Sequence, residues 1–209
     1  MKLQGNHYRT IWLDEANPRI VRTFDQRHFP CEILVEPLRR YEDAAVAIEE
    51  MHVRGAPMIG ATAAYGLYLA TLTAPEGIAG WAFLQEAAER LRRTRPTAVD
   101  LFHSIQRMMP ALETAADREE RIHTALATAN ALADESAEQC RMIGVHGLEI
   151  VREISARKAG APVNILTHCN AGWLACIDYG TATAPIYLAH DQGIPVHVWV
   201  DETRPRNQG

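Results

Sequence analysis

Two short apolar runs in the last quarter of this 209-residue chain constrain its fold more than any other feature. The first, residues 163–170, reads VNILTHCN: the β-formers Val163 and Ile165 lead into Thr167, His168, Cys169 and Asn170, and Ala171-Gly172 then breaks the pattern. The second, residues 194–200, is followed by Asp201-Glu202-Thr203-Arg204-Pro205. Between them, residues 181–191 suit a helix with Pro185 in its first turn and Gly193 past its end. This is the spacing of a β-loop-α-β unit, whose strands pair in parallel through the crossover. Both polar clusters then emerge at one sheet edge, the edge where open α/β sheets bind ligands. Cys169 is therefore a candidate reactive thiol, and an inert core thiol is the competing reading. His168 reads as an orienting or core histidine, or else as a base. Asp201, Glu202 and Arg204 read as a charge network at a pocket mouth, or else as a solvated loop.

The preceding chain is different in character. Residues 8–13 (YRTIWL) and 20–24 (IVRTF) flank Asn17-Pro18 and read as a β-hairpin or meander. From Tyr41 the apolar period becomes helical, through Ala44, Ala47, Ile48 and Met51, with a stop expected near Val53. RGAPMIG at 54–60 leads into an Ala- and Gly-rich helix over 61–71, with Pro57 suited to its first turn. Two readings stand for this entry: a simple turn between helices, or a phosphate cradle of free N–H groups beside Arg54. Trp81, Leu84, Ala88 and Leu91 mark a third helix, and Leu101, Phe102, Ile105 and either Met108 or Met109 a fourth, closed by Pro110. Arg95 again precedes a helix start, as an anion ligand or as an ordinary solvated arginine. Residues 118–142 form a long Ala- and Glu-rich helix that Gly144-Val145-His146-Gly147 should interrupt.

The expected architecture is thus α/β. Residues 1–145 give a small N-terminal β-sheet plus a helical bundle, and residues 146–209 a linker helix and the first β-α-β part of a Rossmann-like parallel-sheet domain. One such unit cannot cover a parallel sheet on both faces, so the chain reads as the amino-terminal portion of a longer protein. The composition, 47% hydrophobic with a formal net charge of -5, speaks against a nucleic-acid surface or a polybasic membrane patch. No apolar run approaches the roughly 18 residues of a membrane span, and the start lacks a hydrophobic signal core. A cytoplasmic location and small-molecule chemistry are the expectation. Cys31, Cys140, Cys169 and Cys176 form no C-x-x-C pair and read as reduced thiols. A zinc site from His168, Cys169, Cys176 and His190 matches no familiar spacing, so no metal is expected.

RGAPMIG at 54–60, TRPTAVDL at 94–101, LTHCNAG at 166–172, YGTA at 179–182 and DETRPRNQG at 201–209 together resemble the methylthioribose-1-phosphate isomerase family. Its superfamily also holds ribose-1,5-bisphosphate isomerases and the regulatory subunits of the translation-initiation guanine-nucleotide exchange factor. The resemblance implies a helical N-terminal domain, a Rossmann-like C-terminal domain and a homodimer. It implies conversion of 5-methylthioribose 1-phosphate to 5-methylthioribulose 1-phosphate, in methionine salvage and without a cofactor. By the same resemblance Cys169 is catalytic, and Arg54, Gly55, Ala56, Arg95 and Gln208 bind the sugar-phosphate substrate. The family's catalytic aspartate and an Asn-Lys pair fall after Gly209, so this chain is expected to pack against its own C-terminal half and to be inactive alone. The chemistry needs one acid and one base flanking C1 and C2 once the sugar ring has opened. Tyr8, Trp12, Phe24 and Met58 are candidates to line an apolar pocket for the methylthio group. A second phosphate site there would instead indicate the bisphosphate isomerase, and sugar-phosphate binding without turnover a regulatory subunit.

Overall fold

Residues 2, 3 and 5–203 are described by the computed structural model, which combines small antiparallel sheets, helices and a parallel strand pair. The chain divides into two compact units, Thr10–Asp134 and a second that joins Met1–Arg9 to Glu135–Gly209. The division falls earlier than the expected break after residue 145, and the first nine residues belong with the second unit.

Strands β1 (Lys2–Leu3) and β2 (Asn6–His7) form a two-stranded antiparallel ribbon. In the first large unit, β3 (Ile11–Leu13), β4 (Val21–Phe24) and β5 (Val35–Leu38) form an antiparallel sheet in that order. The β3–β4 hairpin turns where Asn17-Pro18 indicated. Asp14 fixes the turn, its Oδ1 accepting from the N–H groups of Ala16 and Asn17 at 3.1 and 2.9 Å. The sequence reading omitted β5, whose Pro37 is tolerated because the strand lies at the sheet edge.

Helix α1 (Tyr41–Glu49) ends before the expected Val53, because Met51 turns into the left-handed region at φ 63°. Helix α2 (Ala56–Thr71) starts five residues earlier than expected, with Pro57 in its first turn, and every residue from Met58 to Thr71 is buried. A helix apolar on all sides belongs at the centre of a core, and α2 packs against α1, β3, α3 (Gly77–Arg92) and α4 (Val99–Glu113). Leu67, Leu69, Leu84, Leu91, Leu101 and Ile105 fill the space between them. Pro110, expected to close α4, lies inside it. So near the C-terminus a proline removes only one ladder bond, and the Thr114 N–H still reaches the Pro110 carbonyl at 3.3 Å.

Helix α5 (Arg118–Arg157) runs unbroken for 40 residues, through the glycines expected to interrupt it. Beyond it come β6 (Val163–Thr167), a short 3-10 turn (Trp173–Ala175), α6 (Ala184–Asp191) and β7 (Val196–Val200). The two glycines are contact points with α6. A Cβ on Gly144 would stand 2.9 Å from Leu188 Cδ1, and one on Gly147 would stand 2.5 Å from Pro185 Cγ. Strands β6 and β7 pair in parallel, from Val163 opposite Val196 to Thr167 opposite Val200, as the spacing demanded. Their inner face packs on Leu148, Val151, Leu188 and Ala189, while Leu166 and Trp199 are exposed. Among the described residues no helix is long and apolar enough to cross a membrane.

Candidate active site

The carboxyl edge of the parallel pair gathers the two polar clusters. Past the last paired residues the Asp201 N–H donates to the Thr167 carbonyl at 3.1 Å, and His168 Nδ1 lies 3.1 Å from Asp201 Oδ2. Both side chains are exposed, so His168 is an edge group and not a core histidine. Cys169 follows with φ 66°, a left-handed conformation that costs a non-glycine residue about 1 kcal/mol or more. Its thiol is exposed, in contrast to buried Cys140 and Cys176. The loop is tied down two residues later, where the Ala171 carbonyl accepts from the Thr181 N–H at 3.0 Å. Arg204 and Gln208 lie outside the described residues.

The segment between these anchors, too irregular to assign from sequence, carries a buried carboxylate. Asp178 accepts from the Tyr179 N–H at 2.8 Å and lies 2.6 Å from His7 Nε2 in β2. Cys140 and Cys176 pack together with Ala175. The Cys176 thiol, hydrogen-bonded to Cys140, holds the latter below its ordinary pKa, outweighing burial and the nearby Asp178 charge.

The second polar constellation is at the start of α2. Gly55 takes φ 94°, a conformation reserved for glycine, and caps the helix without any side-chain hydrogen bond. The first-turn N–H groups are thus left without a capping side chain. Arg54, just before it, is buried and donates Nε–H to Gln26 Oε1 at 3.2 Å. Gly60, one turn on, is pressed against α4: a Cβ there would stand 2.8 Å from the Asp100 carbonyl oxygen and 2.9 Å from Ser104 Oγ. Asp100 is the second residue of α4, so the two helix starts share one end of this unit. Arg54, Gly55 and Ala56 precede Gly60 on one side of that contact, and Arg95 precedes Asp100 on the other. Helix α4 likewise begins without a side-chain cap, at Ala98. Arg95 Nη1 is buried with no hydrogen-bond partner, unlike any other buried side-chain N or O among the described residues. An orphaned guanidinium nitrogen costs free energy unless something else satisfies it.

Behind Arg54 lies a charged group the sequence reading missed. Asp25, Glu36 and His52 bring donor atoms within 4.8 Å of one another, a set that by atom type would suit a cation. Arg27 meets that need instead, with Nη2 2.7 Å from Asp25 Oδ2, while His52 Nδ1 lies 2.7 Å from Glu36 Oε2. Burial pushes the Asp25 carboxyl up, but the Arg27 hydrogen bonds and charge outweigh it and hold the group below the usual aspartate range. The only local hint was the polar pair Asp25-Gln26 directly after β4. Of the residues expected to line an apolar pocket, Phe24 and Met58 are instead fully buried core, Phe24 lying 5.2 Å from the Trp12 ring and 5.9 Å from that of Phe29.

An uncapped helix start beside a buried arginine, and an exposed thiol at the carboxyl end of a parallel strand, are carried by a mixed α/β protein with a Rossmann-like strand pair. Residues 52–209 match the model of the Initiation factor 2 subunit family, and the chain belongs to that family. A protein from Rhodospirillum centenum named methylthioribose-1-phosphate isomerase is 51% identical over 209 residues, all of this chain and 54% of the relative. One of the same name from Desulfatibacillum aliphaticivorans is 46% identical, across 100% of this chain and 57% of its own. The chain thus spans a little over half the length of these curated relatives. Among solved structures, 5-methylthioribose 1-phosphate isomerase from Pyrococcus horikoshii superposes with a TM-score of 0.84 at 35% identity, covering 98% of this chain and 55% of its own. The delta subunit of translation initiation factor eIF-2B from A. fulgidus gives 0.82 at 36%, covering 97% and 57%.

Proposed function

We propose that this chain carries the amino-terminal part of an aldose-ketose isomerase that converts 5-methylthioribose 1-phosphate to 5-methylthioribulose 1-phosphate. The observation that carries the reading is the identity of about half of all residues, across the whole chain, with proteins bearing that name. In this reading Arg54, the Gly55-Ala56 helix entry and Arg95 hold the phosphate, with Gln208 as a further ligand. The orphaned Arg95 Nη1 supports that role, because a phosphate oxygen would satisfy it. Cys169 acts as one half of an acid-base pair. Phosphate on the anomeric carbon blocks the aldehyde until the ring opens, after which hydrogen moves between C1 and C2; the exposure of the Cys169 thiol supports giving it a part in that transfer. The second group is expected from the C-terminal half of a longer protein, which we propose works as a homodimer in cytoplasmic methionine salvage.

The close superposition on an initiation-factor subunit favours one alternative, a regulatory protein that binds a sugar phosphate without converting it. A turnover assay on the full-length protein separates the two. Wild type is expected to isomerise 5-methylthioribose 1-phosphate in preference to ribose 1,5-bisphosphate, and Cys169→Ser is expected to stop it. Binding of either sugar phosphate without turnover would favour the regulatory reading.

A further inference from the structure

We propose that Gln26 is a positioning residue for Arg54, and that its being neutral sets the affinity of the site for an anion. The inference rests on the reading of Arg54 as a phosphate ligand. Gln26 follows β4 directly and is 2% exposed; Arg54 is 8% exposed. Two bonds clamp the segments together. The Gln26 N–H donates to the His52 carbonyl at 2.8 Å, two residues before Arg54, and the Gln26 side chain accepts from Arg54 Nε at 3.2 Å. A guanidinium held at Nε has its plane fixed, so its two Nη groups form a directed fork, the geometry that matches two oxygens of a phosphate.

The chemical choice at position 26 is informative because carboxylates abound nearby. Asp25 is paired with Arg27, and Glu36 and Glu50 lie 2.7 and 3.4 Å from His52 ring nitrogens. The side chain that accepts from Arg54 Nε is nonetheless an amide. A carboxylate there would hold the guanidinium equally well and oppose its charge in a poorly hydrated setting, weakening its pull on an incoming anion. Gln26 orients without contributing negative charge, favouring an anionic ligand over a neutral sugar.

The test uses the intact protein with Gln26→Glu and Gln26→Met, reading KM and kcat for 5-methylthioribose 1-phosphate, the Kd of inorganic phosphate by calorimetry, and the melting temperature. Gln26→Glu, which keeps size and acceptor, is expected to raise KM and the phosphate Kd about tenfold or more, with kcat changed less than about threefold and melting not lowered. Gln26→Met, neutral but without an acceptor, is expected to raise both about threefold to tenfold. Wild-type phosphate affinity in a folded Gln26→Glu protein overturns the proposal. So does a fall in melting temperature in both variants without any change in phosphate affinity, the mark of a merely structural glutamine. Should Gln26→Glu not fold, an unchanged phosphate Kd in Gln26→Met overturns it instead. Failure of wild type to turn over the sugar phosphate would sink the isomerase reading, whereas the phosphate titrations still decide Gln26.

Discussion

At the start of α2 the parts are buried and braced from behind: Arg54 is held by Gln26, and Gln26 by the backbone before Arg54. At the carboxyl end of β6, by contrast, Cys169 is exposed, its backbone is left-handed, and the loop is held through a main-chain bond from Thr181 to Ala171. The difference follows the work proposed for each. Donors that only hold a phosphate gain from being fixed and desolvated, since nothing has to reorganise when the charge arrives. A group that exchanges a proton with substrate must reach it, and loops at strand ends give that access on a rigid scaffold.

The largest effect is expected at the exposed thiol. Cys169→Ser should lower kcat by about 10²- to 10⁴-fold while stability by urea titration stays within about 0.5 kcal/mol; a large loss of stability would erase the contrast drawn above. Next, Arg95→Met should raise KM about 10- to 100-fold with kcat little changed and stability unharmed, because the substitution removes a buried donor that has no partner. Unchanged KM would remove Arg95 from the proposed phosphate site. At the braced end, Gly60→Ala should cost about 1–3 kcal/mol in urea titration, since its Cβ would meet the Asp100 carbonyl; a neutral result would show that the two helix starts are less tightly set.

The smallest effect concerns acid. Asp25 is held below its ordinary value when folded, so it adds stability above about pH 4, where the unfolded aspartate is already ionised, and that contribution is lost as pH falls through the folded value. Asp25→Asn should therefore lower stability near neutrality and flatten the acid limb below about pH 4. An acid limb parallel to wild type in urea titrations across that range would mean Asp25 is not the group responsible.

The sequence disclosed features whose cause is local. Parallel pairing of β6 and β7 followed from two apolar runs too far apart for a hairpin, and the place of Pro57 in the first turn of α2 followed from proline chemistry, although the helix itself starts earlier than expected. It concealed whatever depends on a distant partner. β5 is short and carries Pro37, so only its pairing with β4 makes it a strand. Glycines 144 and 147 carry the local mark of a break, and the shape of α6 overrules it. The Gln26–Arg54 bond joins residues 28 positions apart, which no spacing rule reaches. Phe24 and Met58 misled for the same reason: apolar residues near a suspected site read as its lining until packing assigns them to the core.

The seam between α5 and α6 bears on anyone who would engineer this protein. By helix propensity Gly144 and Gly147 are the weakest residues in α5, each about 1 kcal/mol worse than alanine in an isolated helix, and so the natural first targets for thermostabilisation. They are the wrong ones. A methyl group at 147 would press on the Pro185 ring, and one at 144 on Leu188 and Ala184, so strengthening one helix would evict its neighbour. Because α6 is the crossover between β6 and β7, the strain would pass to the pairing that positions Cys169.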